Sequence, residues 1–192
     1  MPRINQWQLQ YPEEARLVGA ILMGYGELEF ELCLCVRSGM LDADSAFRAM
    51  FRMRSESQRI DVAEALVAPA IAKHNLASQF ANALGALRHC KSIRNQYAHC
   101  HWHWEENTGL RFCDMEAAAK SPQGQPILKL VSTSVELLTM QVEFFEYCSD
   151  WLCHVHYELQ LLSGRIGSHT FPAPKPRNRP KLHNEDAKNG SR

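Results

Sequence analysis

The 192-residue chain has no surplus of either charge, with 21 Lys and Arg against 21 Asp and Glu. A protein that tracks nucleic acid over a broad surface is usually basic, so this balance counts against such a surface and leaves room for a small cleft. No apolar run approaches the roughly 18 residues that a membrane span needs, so no membrane partner is expected. The opening MPRINQWQLQYPEEAR has no apolar centre, and no signal peptide is expected there. A Cys-x-x-Cys pair, a Gly-rich phosphate loop and a Ser-His-Asp set are all missing, which removes the motifs that would mark several enzyme classes. The seven cysteines are odd in number, and several fall where a small apolar residue would also serve. They are expected to be reduced thiols in a cytoplasmic protein.

What is present is helical periodicity. Apolar residues make up 45% of the chain, enough for a globular domain with a substantial core. After an irregular lead-in, with Trp7 and Leu9 as packing candidates, Pro12-Glu13-Glu14 opens a long helix. Its seam is Val18, Ile21, Tyr25, Leu28, Leu32 and Cys35, and Gly39 stops it. Leu41 to Asp44 starts a short helix to about Met53. Ser55 starts another, with Ile60, Ala63, Val67 and Ile71 inward and a kink or break expected at Pro69. The next runs from about Leu76 to Ala98 on Phe80, Leu84, Leu87, Cys90 or Lys91, Arg94 and Tyr97.

The helical period is lost from Cys100 to Ser132. His101-Trp102-His103-Trp104 alternates, as does part of Leu110 to Cys113, with Asn107-Thr108-Gly109 as a turn. Ile127 to Val131 is a further extended run, so a β-hairpin or three-strand flap is expected. Ser121 to Pro126 reads as a loop. Thr133-Ser134-Val135-Glu136 is a capping-box pattern. It opens a last helix on Leu138, Gln141, Phe145, Cys148, Leu152, Val155, Leu159 and Leu162, ended by Gly164. The expectation is a mainly α fold: an antiparallel helical bundle of four main helices with a small β-hairpin insertion before the last. It occupies residues 1–164. Residues 165–192 read as a flexible, basic C-terminal tail, extended or disordered, with Lys175, Arg177, Arg179 and Lys181 as weak nucleic-acid contacts. The seams carry more apolar surface than one chain covers, and a homodimer would bury the excess.

The chemistry concentrates in Lys91 to Trp104, KSIRNQYAHCHWHW. The heptad line through Phe80 and Leu87 lands on Arg94, and a charge on a core-facing line must find partners. Arg94 and His99 are five apart and diverge by about 140° on an undistorted helix. To act together they need the helix to unwind near Ala98, the Arg arm to bend round, or two chains to pool their motifs.

Arg94-Asn95-Gln96-Tyr97-Ala98-His99 resembles the signature of the HEPN superfamily: Arg, four to six residues, then His, with a polar residue after the Arg. The layout over residues 13–163 is similar too: a long first helix with Glu27, Glu29 and Glu31, a helix ending in the motif, and a long final helix. Many relatives have Gly where this chain has Cys100. The resemblance implies a small helical bundle, usually dimeric, with two motifs facing each other. It implies a metal-independent ribonuclease of a toxin or defence system, or a nucleotide-binding or nucleotidyltransferase-partner protein that does not cut. An antitoxin would be a partner of the first kind.

For RNA cleavage, His99 would serve as general base or acid, since imidazole titrates near neutral pH. Arg94 would stabilise charge on the phosphate. Asn95 would orient His99 or bind the phosphate, Lys91 would add charge, and Tyr97 or Trp102 would stack on a base. The product would be a 2′,3′-cyclic phosphate, with no cofactor. Each residue has a structural rival: His99 as a helix cap, Arg94 paired with Glu27 or Glu31, Asn95 holding the turn. A non-catalytic dimer binding a nucleotide, RNA or protein is the alternative. A zinc site from His99, His101, His103 and Cys113 is a further, weaker one, because no Cys-x-x-Cys pair supports it.

Overall fold

The computed structural model describes residues 6–40, 43–105, 109–120 and 128–183. The expected turn at 107–108, the loop at 121–126, Ile127, and the tail beyond 183 lie outside the described residues. The chain is mainly helical with one small antiparallel sheet. In order come α1 (Trp7–Gln10), α2 (Pro12–Gly39), α3 (Ala43–Phe51), α4 (Glu56–Lys73) and α5 (Ala77–Ala98). Then follow β1 (Cys100–Glu105), β2 (Gly109–Asp114), α6 (Met115–Ala119), β3 (Val131–Ser132) and α7 (Val135–Leu162).

Helix α2 starts with Pro12 in its first turn and Glu13 and Glu14 facing the positive end of the helix dipole. All six seam residues from Val18 to Cys35 are buried. They pack on α7, which lies against α2 more extensively than any other pair of elements, and α5 lies against α7 as well. Along α5 the inward line takes Cys90, which is fully buried, and leaves Lys91 at the edge. Among the described residues no helix is long and apolar enough to cross a membrane.

Several local expectations are corrected. Helix α4 runs through Pro69 to Lys73 without a break. Pro69 is on the exposed face, so water can satisfy the carbonyl that its missing N–H leaves free, while Val67 and Ile71 hold the helix to the core. The last helix is capped by Ser134, whose Oγ accepts from Leu137 N at 3.3 Å. Thr133 is occupied elsewhere: its N–H and hydroxyl both donate to Leu110 O, tying the helix entry to β2. Leu9 and Leu162 are exposed rather than packed. The extended run before α7 contributes only Val131 and Ser132 to the sheet, and the short α6 was not expected.

The sheet has the order β1-β2-β3, with Trp102 opposite Phe112 and Phe112 opposite Val131. Trp7 of α1 stacks on Trp102 with ring centroids 4.8 Å apart, which fastens the sheet to the start of the chain.

Where a flexible tail is expected, residues 165–183 form a strap along the bundle without helix or strand. Gly164, at φ +73°, turns the chain out of α7. Phe171 stacks flat on Tyr157 at 4.4 Å, Arg177 pairs with Glu143 at 3.0 Å, and Pro180 O lies 2.9 Å from His89 Nε2. The sequence hides this because proline-rich basic segments lack periodicity whether docked or free.

Candidate functional site: a mixed-charge cleft at the end of α5

Helix α5 ends at Ala98 because the next residues enter the hairpin. His99 has left helical geometry at φ −122°, ψ 30°. Cys100, already in β1, donates its thiol to Gln96 O, one of the carbonyls a helix end leaves unpaired. Burial pushes that thiol up to about 12, helped by Asp114 and Cys113, so it stays protonated and able to donate. Among the described residues only Asn75 takes a positive φ without being glycine, so Cys100 stands at a position that does not require one.

This unwinding settles the divergence of Arg94 and His99. Both line one open cleft of about 480 Å³ within a single chain, together with Lys91, Asn95 and Gln96 of α5. The opposite wall is Arg54, Ser55, Glu56 and Ser57 at the start of α4, with Asp114 and Glu116 from the end of the hairpin and α6.

Arg94 is tightly held. Its Nη1 lies 2.9 Å from Glu56 Oε1 and donates to Asn95 Oδ1 at 3.1 Å. The guanidinium carbon stands 5.7 Å from the centre of the Tyr25 ring, a cation–π contact from beneath. The partner is therefore Glu56, not the Glu27 or Glu31 of the first helix that the sequence suggested. Glu29 takes Arg59 instead, at 2.7 and 2.9 Å, and Glu31 accepts from Ser149. Burial raises the Glu29 carboxyl against the opposing pull of Arg59. Burial, and after it Glu29 and Glu56, raises the Tyr25 hydroxyl, which stays protonated under the cleft floor.

His99 is 57% exposed, with Nε2 3.8 Å from Glu116 Oε1. Asn95 is exposed beside it, and Lys91 donates to Ser57 Oγ across the cleft. The cleft thus brings Arg94, Asn95, His99 and Lys91 together. It does not include Tyr97 or Trp102. Tyr97 is 2% exposed and donates its hydroxyl to Gln141 Oε1 at 2.6 Å. Trp102 lies between Trp7 at 4.8 Å and Tyr97 at 6.1 Å. Both rings already have stacking partners, so neither offers a face to a base.

The zinc alternative is not assembled. Among the described residues no three His, Cys, Asp or Glu side chains gather as a metal site. Cys113 is buried opposite an exposed His101, and His99 stands off the strand.

Sequence reasoning missed Arg54, Glu56, Ser57, Asp114 and Glu116. The start of α4 was legible from Ser55, which accepts from Gln58 N at 3.5 Å. Its position across from the last turns of α5 is a tertiary fact with no local signal. Chemically, the start of α4 faces the cleft with the positive end of its dipole and sits beside Arg54, Lys91 and Arg94. That half suits an anion, while Asp114 and Glu116 make the other half acidic. No family model, curated protein or solved structure matches the chain.

Proposed function

We propose that the chain is a HEPN-like antiparallel bundle of four main helices that acts as a cytoplasmic, metal-independent endoribonuclease of a toxin or defence system. The observation that carries this is the single cleft in which Arg94, Asn95, His99 and Lys91 meet the start of α4. A scissile phosphate seats between that helix start and the cations. Arg94 offers its remaining N–H donors to the phosphate oxygens, as Glu56 and Tyr25 hold its plane. His99 makes one of the two proton transfers. Either it takes the proton of the ribose 2′-OH as the O2′–P bond forms, or it gives a proton to the 5′ oxygen as the P–O5′ bond breaks. The other proton passes through water or the His99 of a second copy. The products are a 2′,3′-cyclic phosphate and a 5′-OH.

A homodimer with a composite cleft belongs to this reading. Its support is exposed apolar surface: Phe30 and Phe47 flank one recess and are 47% and 52% exposed. The second reading is a non-cutting dimer that binds RNA, a nucleotide or a protein such as an antitoxin or nucleotidyltransferase. The Arg94–Glu56 pair favours it, because a paired guanidinium also serves to pin two helices.

The test is cleavage of mixed structured RNAs in excess EDTA by the full chain, by His99→Ala and by Arg94→Ala. Cutting by the parent alone, leaving cyclic phosphate ends, supports the nuclease. Equal cutting by parent and His99→Ala removes His99 from the chemistry. Binding of RNA without cutting moves the assignment to the second reading.

A further inference from the structure

The strap ends on the helix that carries the cleft. We propose that His183 is a positioning residue for the cleft: the end of the strap clamps the last turn of α5 and so fixes where Arg94 and His99 stand. The functional part of this inference rests on the cleft being the working site.

The observation is a directed ring of hydrogen bonds. Gln141 Nε2 lies 3.0 Å from Lys181 O. A carbonyl only accepts, so the amide of Gln141 must point its nitrogen there and its oxygen at Tyr97. That oxygen also only accepts, so the Tyr97 hydroxyl donates to it, at 2.6 Å. The single hydroxyl proton is then spent. His183 Nδ1, 2.8 Å from the same hydroxyl oxygen, must carry its own proton and donate. The backbone N–H of His183 donates to Gln96 Oε1 at 3.3 Å. One residue therefore satisfies groups on two consecutive positions of α5, and through Gln141 the ring closes on α7.

The placement matters. Gln96 lines the cleft, Tyr97 follows it, and Arg94 and His99 lie three residues before and two after Tyr97. The imidazole also meets Phe112 of β2 edge-on at 5.4 Å. His183 thus touches both elements that flank His99, the helix before it and the hairpin after it. A strap that only covered apolar surface would have no reason to keep a ring of polar contacts at this point.

The experiment compares full-length parent, His183→Ala and His183→Asn. The Asn amide N–H can replace Nδ1–H toward Tyr97. Amide hydrogen exchange of residues 94–99 is expected to quicken about tenfold in His183→Ala, with residues 77–90 unchanged. His183→Asn is expected to return it to within about twofold of the parent. On RNA, kcat falls in His183→Ala and KM holds. Unchanged exchange at 94–99 in the Ala variant, or an Asn variant no better than Ala, overturns the clamp. A rise in KM with kcat held overturns positioning, since the strap would then be touching substrate. If the parent cuts no RNA, the exchange comparison still decides the clamp, and only the nuclease reading falls.

Discussion

Tyr97→Phe removes one oxygen from a deeply enclosed polar contact. The ring stays, and so does the apolar area it buries. What changes is that Gln141 Oε1, on a residue that is 0% exposed, loses its donor. A buried acceptor left unpaired costs about 1–3 kcal/mol, and the partly buried His183 Nδ1–H adds a smaller share. We expect a loss of about 2 kcal/mol, or a fall of roughly 4–8 °C in Tm for a chain of this size. The assay is urea and thermal unfolding followed by far-UV circular dichroism. The decisive comparison is the double variant Tyr97→Phe with Gln141→Leu, which removes the orphaned Gln141 acceptor, while the partly buried His183 Nδ1–H and Lys181 O lose these contacts. Its loss should fall short of the sum of the two single losses, giving a coupling of about 1–2 kcal/mol in the cycle. A single variant within about 0.5 kcal/mol of the parent, or strictly additive losses, would refute the reasoning.

Trp7→Ala should cost about 3 kcal/mol, because it empties one side of the Trp7–Trp102 stack, and the near-UV signal of the paired indoles should vanish. Glu31→Gln should stabilise the chain at pH 8 and leave it unchanged at pH 4, read as Tm against pH. Burial, and after it Glu27 and Asp150, raises the Glu31 carboxyl above its ordinary 4.5. Its contribution is therefore present below that value and lost as pH rises through the raised one, whereas Gln keeps the Ser149 hydrogen bond without the charge. If the proposed homodimer forms, Phe47→Glu should shift its sedimentation to that of a monomer with circular dichroism unchanged; an unaltered dimer would place the interface elsewhere.

The helices were legible because their apolar residues repeat at three and four, and each seam from Val18 to Cys35 or Leu138 to Leu159 is buried as the period requires. The caps at Ser55 and the stop at Gly164 were legible too, while Thr133 was misread because a hydroxyl one residue early satisfies the same pattern. The hairpin came from the alternation of His and Trp. Of the site, Arg94, Asn95, His99 and Lys91 could be gathered from one stretch because they are near in sequence. Glu56 and Glu116 could not, since what brings them in is the meeting of α4 and the sheet with α5. Tyr97 and Trp102 were mistaken for base-stacking rings because an aromatic beside a motif looks the same in sequence whether it faces solvent or core. The extended course of the strap was legible, but its contacts were not, since they are set by the surface it crosses.

The Trp7–Trp102 stack has a practical side. One wall of the cleft, Glu56 with Arg94, is built into long helices rooted in the core. The other, Asp114 and Glu116, belongs to the hairpin and the short helix after it, and that hairpin is fastened to an indole six residues from the start of the chain. A purification tag or fusion joined directly ahead of Trp7 would therefore load a wall of the cleft before it loads the core of the bundle.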